Sequence, residues 1–281
     1  VTVLIGTSGW QYDSWKGRFY PADVTKARWL EHYGARFATL ESNSAFYRLP
    51  ERRTFEQWAQ RTPDDFVVAV KASRYLTHVR RLRDPAEPVR RLVDRLAGLG
   101  AKCGPVLLQL PPTLQEDLDA LDAAVRAFPP GIRVAVELRH SSWFTDRTRR
   151  LLERRSAALC LADRPGLRMP MWATAPWGYV RFHEGRAHPR PCYGRRALAT
   201  WAERIADLWG RRAEVFCYFN NDPLGCAPHD ARVFRPGRRA RRPQPHPHAG
   251  GRRGARGLSR DRRAPGPPIG PPRTAPTTSG C

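Results

Sequence analysis

The chain has 281 residues, 41% of them hydrophobic, and a formal net charge of +23. That length suits one (β/α)8 barrel of roughly 250 residues with a large core. No apolar run approaches the ~18 residues that a membrane span needs, so a membrane partner is not expected.

Eight β-rich apolar runs recur in order, at residues 3–7, 37–40, 66–70, 105–108, 133–136, 158–162, 179–182 and 215–219. Helical patterns separate most of them. Residues 25–35 carry Ala27, Leu30 and Tyr33 at helical spacing, and residues 51–60 follow Pro50 and bury Phe55 with Trp58. Residues 87–99 set Val89, Leu92, Leu96 and Leu99 among arginine pairs. Residues 114–128 present Leu118, Leu121, Val125 and Phe128 as one stripe, ended by Pro129-Pro130-Gly131. Residues 142–155 begin with Ser142 as the expected cap, and residues 195–209 carry Leu198, Trp201, Ile205 and Leu208. The sixth strand leads instead into the Pro-, Met- and Trp-rich stretch 166–177, expected as an active-face loop without a full helix. Strand–helix units repeated eight times predict an α/β fold, a TIM-like barrel over residues 1–235.

The last unit is incomplete. Residues 226–234 can begin a helix, but Pro236 and Gly237 stop it, and Arg238-Arg239-Ala240-Arg241-Arg242-Pro243 offers no apolar stripe. The eighth helix is therefore expected to be truncated, and residues 236–281 to be a disordered basic tail. From Ala231 to Cys281 the chain holds 13 Arg, no Lys and one Asp, with 10 Pro and 8 Gly. Two readings compete for this segment. One is a basic arm that binds polyanions; the other, favoured here, is the product of a shifted frame in a GC-rich gene.

The sequence opens directly into Val3-Leu4-Ile5, without the basic, apolar and cleavage regions of a signal peptide, so the expected compartment is the cytoplasm. Cys103, Cys160, Cys192, Cys217, Cys226 and Cys281 show no paired metal spacing. Cys160 and Cys217 fall in predicted buried strands, where a reduced thiol acts as a small hydrophobe.

Nearly every strand run ends in a polar residue that sits poorly in a core. On this architecture strand C-termini form the active face, which gathers scattered positions into one site. Glu41 and Glu137 come from strands two and five and suit acid and base roles across the barrel mouth; the alternative is ion pairing in a structural polar layer. Replacing either by Gln is expected to lower turnover by roughly 10²-fold with the fold intact. His140 is the preferred assisting histidine over His78 and His183, because Glu137, Arg139 and Trp143 are near it in sequence. Lys71, Arg139 and Arg181 suit capture of an anion, with a nucleophile or base role as the alternative for Lys71. Trp10, Asn43, Gln109, Asp163, Asn220, Asn221 and Asp222 complete the expected binding surface, with Trp10 as a flat wall and the others as polar contacts. No metal is expected to be held tightly; a set of Glu41, Glu137, Asp163 and His183 is the alternative. No cofactor motif is present: there is no nucleotide-type glycine loop and no Gly-x-Ser-x-Gly elbow.

Several motifs together resemble the domain of unknown function 72 family. They are Gly6-Thr7-Ser8-Gly9-Trp10, Glu41-Ser42-Asn43-Ser44-Ala45-Phe46-Tyr47, Val70-Lys71 with Thr77-His78, and residues 104–112. Glu137-Leu138-Arg139-His140-Ser141-Ser142-Trp143, Tyr179-Val180-Arg181-Phe182-His183 and Phe219-Asn220-Asn221-Asp222 complete the set. The resemblance covers about residues 3–235 and implies a TIM-barrel-like fold, with little about chemistry. The tail departs from the family's pattern, which continues into a final helix.

The residues favour a cytoplasmic enzyme acting on a small polar, anionic or phosphorylated substrate by acid–base or hydrolytic chemistry. The alternatives are a barrel that binds nucleic acid or cleaves phosphodiesters, with weak support, and a ligand-binding module without turnover. Cofactor identity and oligomeric state are not legible.

Overall fold

A computed structural model of the protein describes residues 1–166, 168–210 and 212–234. The expected tail, 236–281, lies outside these residues, as does Cys281.

Eight parallel strands form the barrel: β1 (Thr2–Thr7), β2 (Thr39–Ser42), β3 (Val67–Lys71), β4 (Cys103–Gln109), β5 (Val134–Glu137), β6 (Ala158–Asp163), β7 (Gly178–Phe182) and β8 (Glu214–Phe219). Their order is β1-β8-β7-β6-β5-β4-β3-β2. The remaining seam, between β1 and β2, is held by a bridge from Ser8 to Glu41 and by Gly9 N–H donating to the Glu41 carbonyl at 2.8 Å. Tyr33 stitches the lower part of that seam. Its hydroxyl accepts from Thr7 N–H at 2.7 Å and donates to the Thr39 carbonyl at 3.1 Å. The strands approach so closely here that a Cβ on Gly6 would meet the Thr39 carbonyl oxygen at 2.0 Å, which explains the glycine.

The helices are α1 (Trp29–Gly34), the single turn α2 (Ser44–Tyr47), α3 (Arg52–Gln60), α4 (Ala86–Leu96), α5 (Leu118–Arg126), α6 (Asp146–Arg154), α7 (Arg195–Trp209) and α8 (Cys226–Val233). α6 starts later than its apolar pattern suggests. Thr145, not Ser142, caps it by accepting from Thr148 N–H at 3.2 Å, while Ser142 accepts from Glu116 N–H. Among its described residues the stretch between β6 and β7 contains no helix, as expected, but it is not an active-face loop throughout. Thr174 accepts from Leu159 N–H and donates to the Ala157 carbonyl, tying the stretch to the N-terminal end of β6. Trp177 then plugs the barrel floor with Phe216, beneath the guanidinium of Arg133.

Period-two alternation sorts each strand into two faces. Val68, Val70, Val106, Leu108, Val134, Val136, Leu159, Leu161, Val180, Phe182, Val215 and Phe219 pack outward against the helices. Ala69, Leu107, Ala135, Cys160, Tyr179, Phe216 and Tyr218 fill the interior. Cys160 and Cys217 are buried free thiols, as expected. Cys192 and Cys226, however, form a disulfide that joins the segment after β7 to the start of α8. α8 is short, as expected. It buries Ala227 and Ala231, and Phe234 beyond it packs against Phe182 and Phe219.

Candidate functional site at the barrel mouth

The same alternation builds the mouth. Two residues past Ala69, Leu107, Ala135 and Tyr179 come Lys71, Gln109, Glu137 and Arg181, all aimed inward in one layer, and Glu41 joins them from β2. Lys71, Gln109, Glu137, Arg181 and Glu41 are all buried.

Arg181 organises this layer. Its Nη2 donates to Glu41 Oε1 at 2.8 Å and its Nη1 to Glu137 Oε2 at 2.6 Å. Glu41 also accepts from Ser8 and, at 2.6 Å, from the hydroxyl of Tyr179. Glu137 accepts from Gln109 Nε2 at 3.0 Å and from Arg139 Nε at 2.7 Å. Burial pushes the Glu137 carboxyl up, but Arg181, with His183 and Arg139, outweighs it and holds the carboxyl well below its ordinary range. The two carboxylates do face each other across the mouth, with one guanidinium filling the space between them.

Lys71 lies beside this assembly with its Nζ 3.7 Å from the centre of the Phe46 ring. Among the described residues no carboxylate lies within 4.0 Å of it. Burial, followed by the charge of Arg181, pushes its amine down to about 8, although Glu41 and Glu137 pull the other way. His78 sits edge-on to Phe46 and is lowered to about 4, by burial first and then by Lys71.

Three buried polar atoms around this layer have no hydrogen-bond partner among the described residues: Asn43 Oδ1, Arg181 Nε and His183 Nε2. Asn43 donates from Nδ2 to Ser8 Oγ at 2.9 Å, and Asn220 donates from Nδ2 to His183 Nδ1 at 3.0 Å. The mouth thus collects Glu41, Asn43, Lys71, Gln109, Glu137, Arg139, Arg181 and Asn220 of the expected residues. It adds Ser8 and Tyr179, and takes His183, the candidate that sequence ranked below His140.

Other expected residues point elsewhere. His140 is three positions past the inward-facing Glu137 and so shares the outward phase of Leu138; its Nδ1 meets Ser142 Oγ at 2.8 Å and caps a 3-10 turn over Ser141–Trp143. His183, two past Arg181, takes the inward place instead. Asp163 is out of phase with Cys160 and turns outward to accept from Trp201 Nε1 at 3.0 Å. Asn221 is likewise out of phase with Tyr218 and donates to Asp230 at 2.7 Å and to the Pro191 carbonyl. Trp10 is 4% exposed and packs edge-on against Trp58, so it belongs to the core and forms no wall. Asp222 accepts from Trp15 Nε1, and burial pushes its carboxyl up. With Asp163 turned away, the alternative metal set does not assemble. No group of three or more His, Cys, Asp or Glu able to hold a metal ion occurs among the described residues.

A family model described as "Protein of unknown function DUF72" matches residues 4–249, running past residue 235 where the motif resemblance ends. Among solved structures, a DUF72 family protein from Thermotoga maritima is 28% identical, covers 83% of this chain and 98% of its own, and superposes with a TM-score of 0.74. A DUF72 family protein from Enterococcus faecalis is 19% identical over 83% and 94% of the two chains, with a TM-score of 0.71. D-allulose 3-epimerase from Methylomonas sp. is 14% identical over 83% and 93%, with a TM-score of 0.50, a likeness of fold alone. No curated protein matches the chain.

Proposed function

The chain belongs to the DUF72 family, and from the geometry of its barrel mouth we propose that it is an enzyme acting on a small polar substrate that carries an anionic group, by acid–base chemistry. The observation that carries this reading is the trio of buried polar atoms without hydrogen-bond partners among the described residues, on Asn43, Arg181 and His183, grouped around one charged layer. Buried polar atoms are almost always satisfied, so a cluster of exceptions suits a site that receives a polar ligand.

The charge balance supports an anion. Glu41 and Glu137 carry two negative charges, and Lys71, Arg139 and Arg181 carry three positive ones. Arg181 spans both carboxylates and Arg139 shares Glu137, so the surplus falls on Lys71. Lys71 and the part-exposed Arg139 hold the anionic group. Glu137 stays ionised across neutral pH because of its cationic neighbours, which suits it to orienting Arg139 and His183 and leaves the proton-carrying role to His183. Glu41, bound by Ser8 and Tyr179, fixes the opposite end of Arg181.

The test is calorimetric titration of the full chain with inorganic phosphate, small sugar phosphates and carboxylic acids, followed by turnover assays on whichever class binds. Saturable binding weakened at least tenfold in Arg139→Gln supports the reading. Binding unaffected by that substitution, or binding only to DNA or RNA with steep salt dependence, overturns it.

A further inference from the structure

We propose that Lys71 is a covalent catalyst, whose Nζ forms an imine with the carbonyl of a small aldehyde or ketone that also carries a phosphate or carboxylate. This rests on the reading of the mouth as an anionic-substrate site and deepens it by naming the reacting group and the substrate class.

Four observations on Lys71 converge. It is 8% exposed, at the C-terminal end of a barrel strand, where this fold concentrates its chemistry. The two carboxylates that could neutralise it are both taken by Arg181, and Lys71 Nζ has no hydrogen bond to any described residue. A buried amine with cationic neighbours and no salt-bridge partner is the arrangement that activates a lysine as a nucleophile. Its amine is lowered to about 8, with burial as the main cause. The groups facing it act in both directions: Arg181 and Arg139 disfavour its charge, whereas Glu41, Glu137 and the face of Phe46 favour it, and His78, lowered to about 4, is neutral where Lys71 titrates.

The fourth observation is compositional. The 49 basic residues include only four lysines, at 16, 26, 71 and 102. Lys26 pairs with Asp13 at the surface, and Lys102 donates to the carbonyls of Ala59 and Thr62. Elsewhere in the mouth the cations are arginine, which holds anions well but cannot deprotonate. Anion holding alone would be served by arginine at position 71; forming a carbon–nitrogen bond would not.

The step balances without a redox partner. The neutral Nζ attacks the carbonyl carbon with its lone pair, a C–N bond forms, and the C=O π pair moves to oxygen. The nitrogen loses a proton and the oxygen gains one, giving a carbinolamine. A second proton on that oxygen lets it leave as water while the nitrogen lone pair closes the C=N bond. The resulting iminium withdraws electrons from the neighbouring carbon, so a proton there becomes removable.

The experiment treats the full chain with glyceraldehyde 3-phosphate, and separately with pyruvate, in the presence of sodium cyanoborohydride. The reagent delivers hydride to the imine carbon and fixes the adduct as a secondary amine. Peptide mass mapping then compares the four lysines, and melting temperature with inorganic phosphate is measured in parallel. The expected result is modification of Lys71 at least tenfold faster than Lys16, Lys26 or Lys102, with one of the two carbonyl compounds. Lys71→Arg, which keeps the positive charge, should lose that adduct; the phosphate-induced rise in melting temperature is read on the wild type. The wild-type map is decisive on its own if the variant does not fold. A phosphate effect without preferential labelling of Lys71 overturns the imine and leaves the anion site standing. Absence of both overturns both.

Discussion

His183 Nε2 lies 3.6 Å from Glu137 Oε1, within ion-pair range and beyond a direct hydrogen bond. Asn220 Nδ2 donates to the other ring nitrogen, so the neutral imidazole keeps its proton on Nε2, facing the carboxylate. The histidine is thereby oriented by residues from β5 and from the end of β8, and the carboxylate it faces is also held by Arg181 and Arg139.

That network makes both glutamates structural as well as functional. Removing one partner of a buried ion pair leaves an uncompensated charge and costs about 3–5 kcal/mol. Glu41→Gln and Glu137→Gln are therefore expected to destabilise the fold by several kcal/mol in urea unfolding, against the expectation from sequence that the fold stays intact. A loss under about 1 kcal/mol in either would mean that the pairs are not formed. Acid has the same effect. The folded carboxyl of Glu137 is depressed, so its contribution is present above the unfolded value near 4.5 and is lost as pH falls below it through the folded value.

Lys71 should leave a signature at the other end of the pH scale. Its amine is lowered from 10.5 to about 8, so below pH 8 the folded state bears the cost of a buried ammonium, about 3 kcal/mol at 1.4 kcal/mol per unit. Between about 8 and 10.5 the unfolded chain binds the extra proton, and stability from this group rises with pH. Contact with Phe46 favours the ammonium by about 0.5–2 kcal/mol and reduces the effect. Buried thiols and phenols such as Cys103, Cys217 and Tyr12 are raised and act in the opposite sense. The readout is therefore the difference between wild type and Lys71→Met across that window. A difference that does not change with pH would show that the amine titrates normally.

The strands and their polar ends were legible because period-two burial and strand-end chemistry are written into local sequence. Strand phase would also have separated the histidines: His183 is two residues from Arg181, whereas His140 is three from Glu137. The same counting turns Asp163 and Asn221 outward. Which cation pairs with which carboxylate was not legible. Arg139 is adjacent to Glu137 in sequence, but the bridging role of Arg181 depends on barrel geometry that brings β2, β5 and β7 around one side chain. Nor did spacing reveal the bond between Cys192 and Cys226, since its loop closes through packing of α8.

That disulfide spans 34 residues, and cross-linking a loop of this size is worth about 2–4 kcal/mol. It fastens a segment already tied to α8, where Asp230 accepts from Tyr193 N–H and Asn221. Reduction, or Cys192→Ser, is expected to lower stability by that amount in denaturant unfolding. Disulfides persist mainly in oxidising compartments, so the pairing and the expected cytoplasmic setting pull in opposite directions. Intact-mass measurement with and without reductant decides whether the bond forms, and thiol labelling of all six cysteines after unfolding without reductant would remove it from the account.

The last prediction concerns the surface beside α8. A cavity of about 690 Å³ runs along Val3 and Ile5 of β1, bordered by Phe37 on one side and by Ala231 and Val233 on the other. Val3 and Ile5 face outward and are only partly buried, at the place where a full-length eighth helix would cover them. Burying a few hundred Å² of such surface is worth several kcal/mol at about 25 cal/mol per Å². Replacing residues 235–281 with an amphipathic helix of about 15 residues is expected to raise the melting temperature by roughly 10 °C, at about 2–4 °C per kcal/mol for a domain of this size. The proposed boundary near 235, drawn from Arg-Pro-Gly composition, makes a companion forecast: trypsin should remove the C-terminal residues before it cuts the barrel. If the arginines beyond 235 resist digestion as well as those of the barrel do, the segment folds against the barrel. Both the boundary and the frame-shift origin proposed for it would then have to be abandoned.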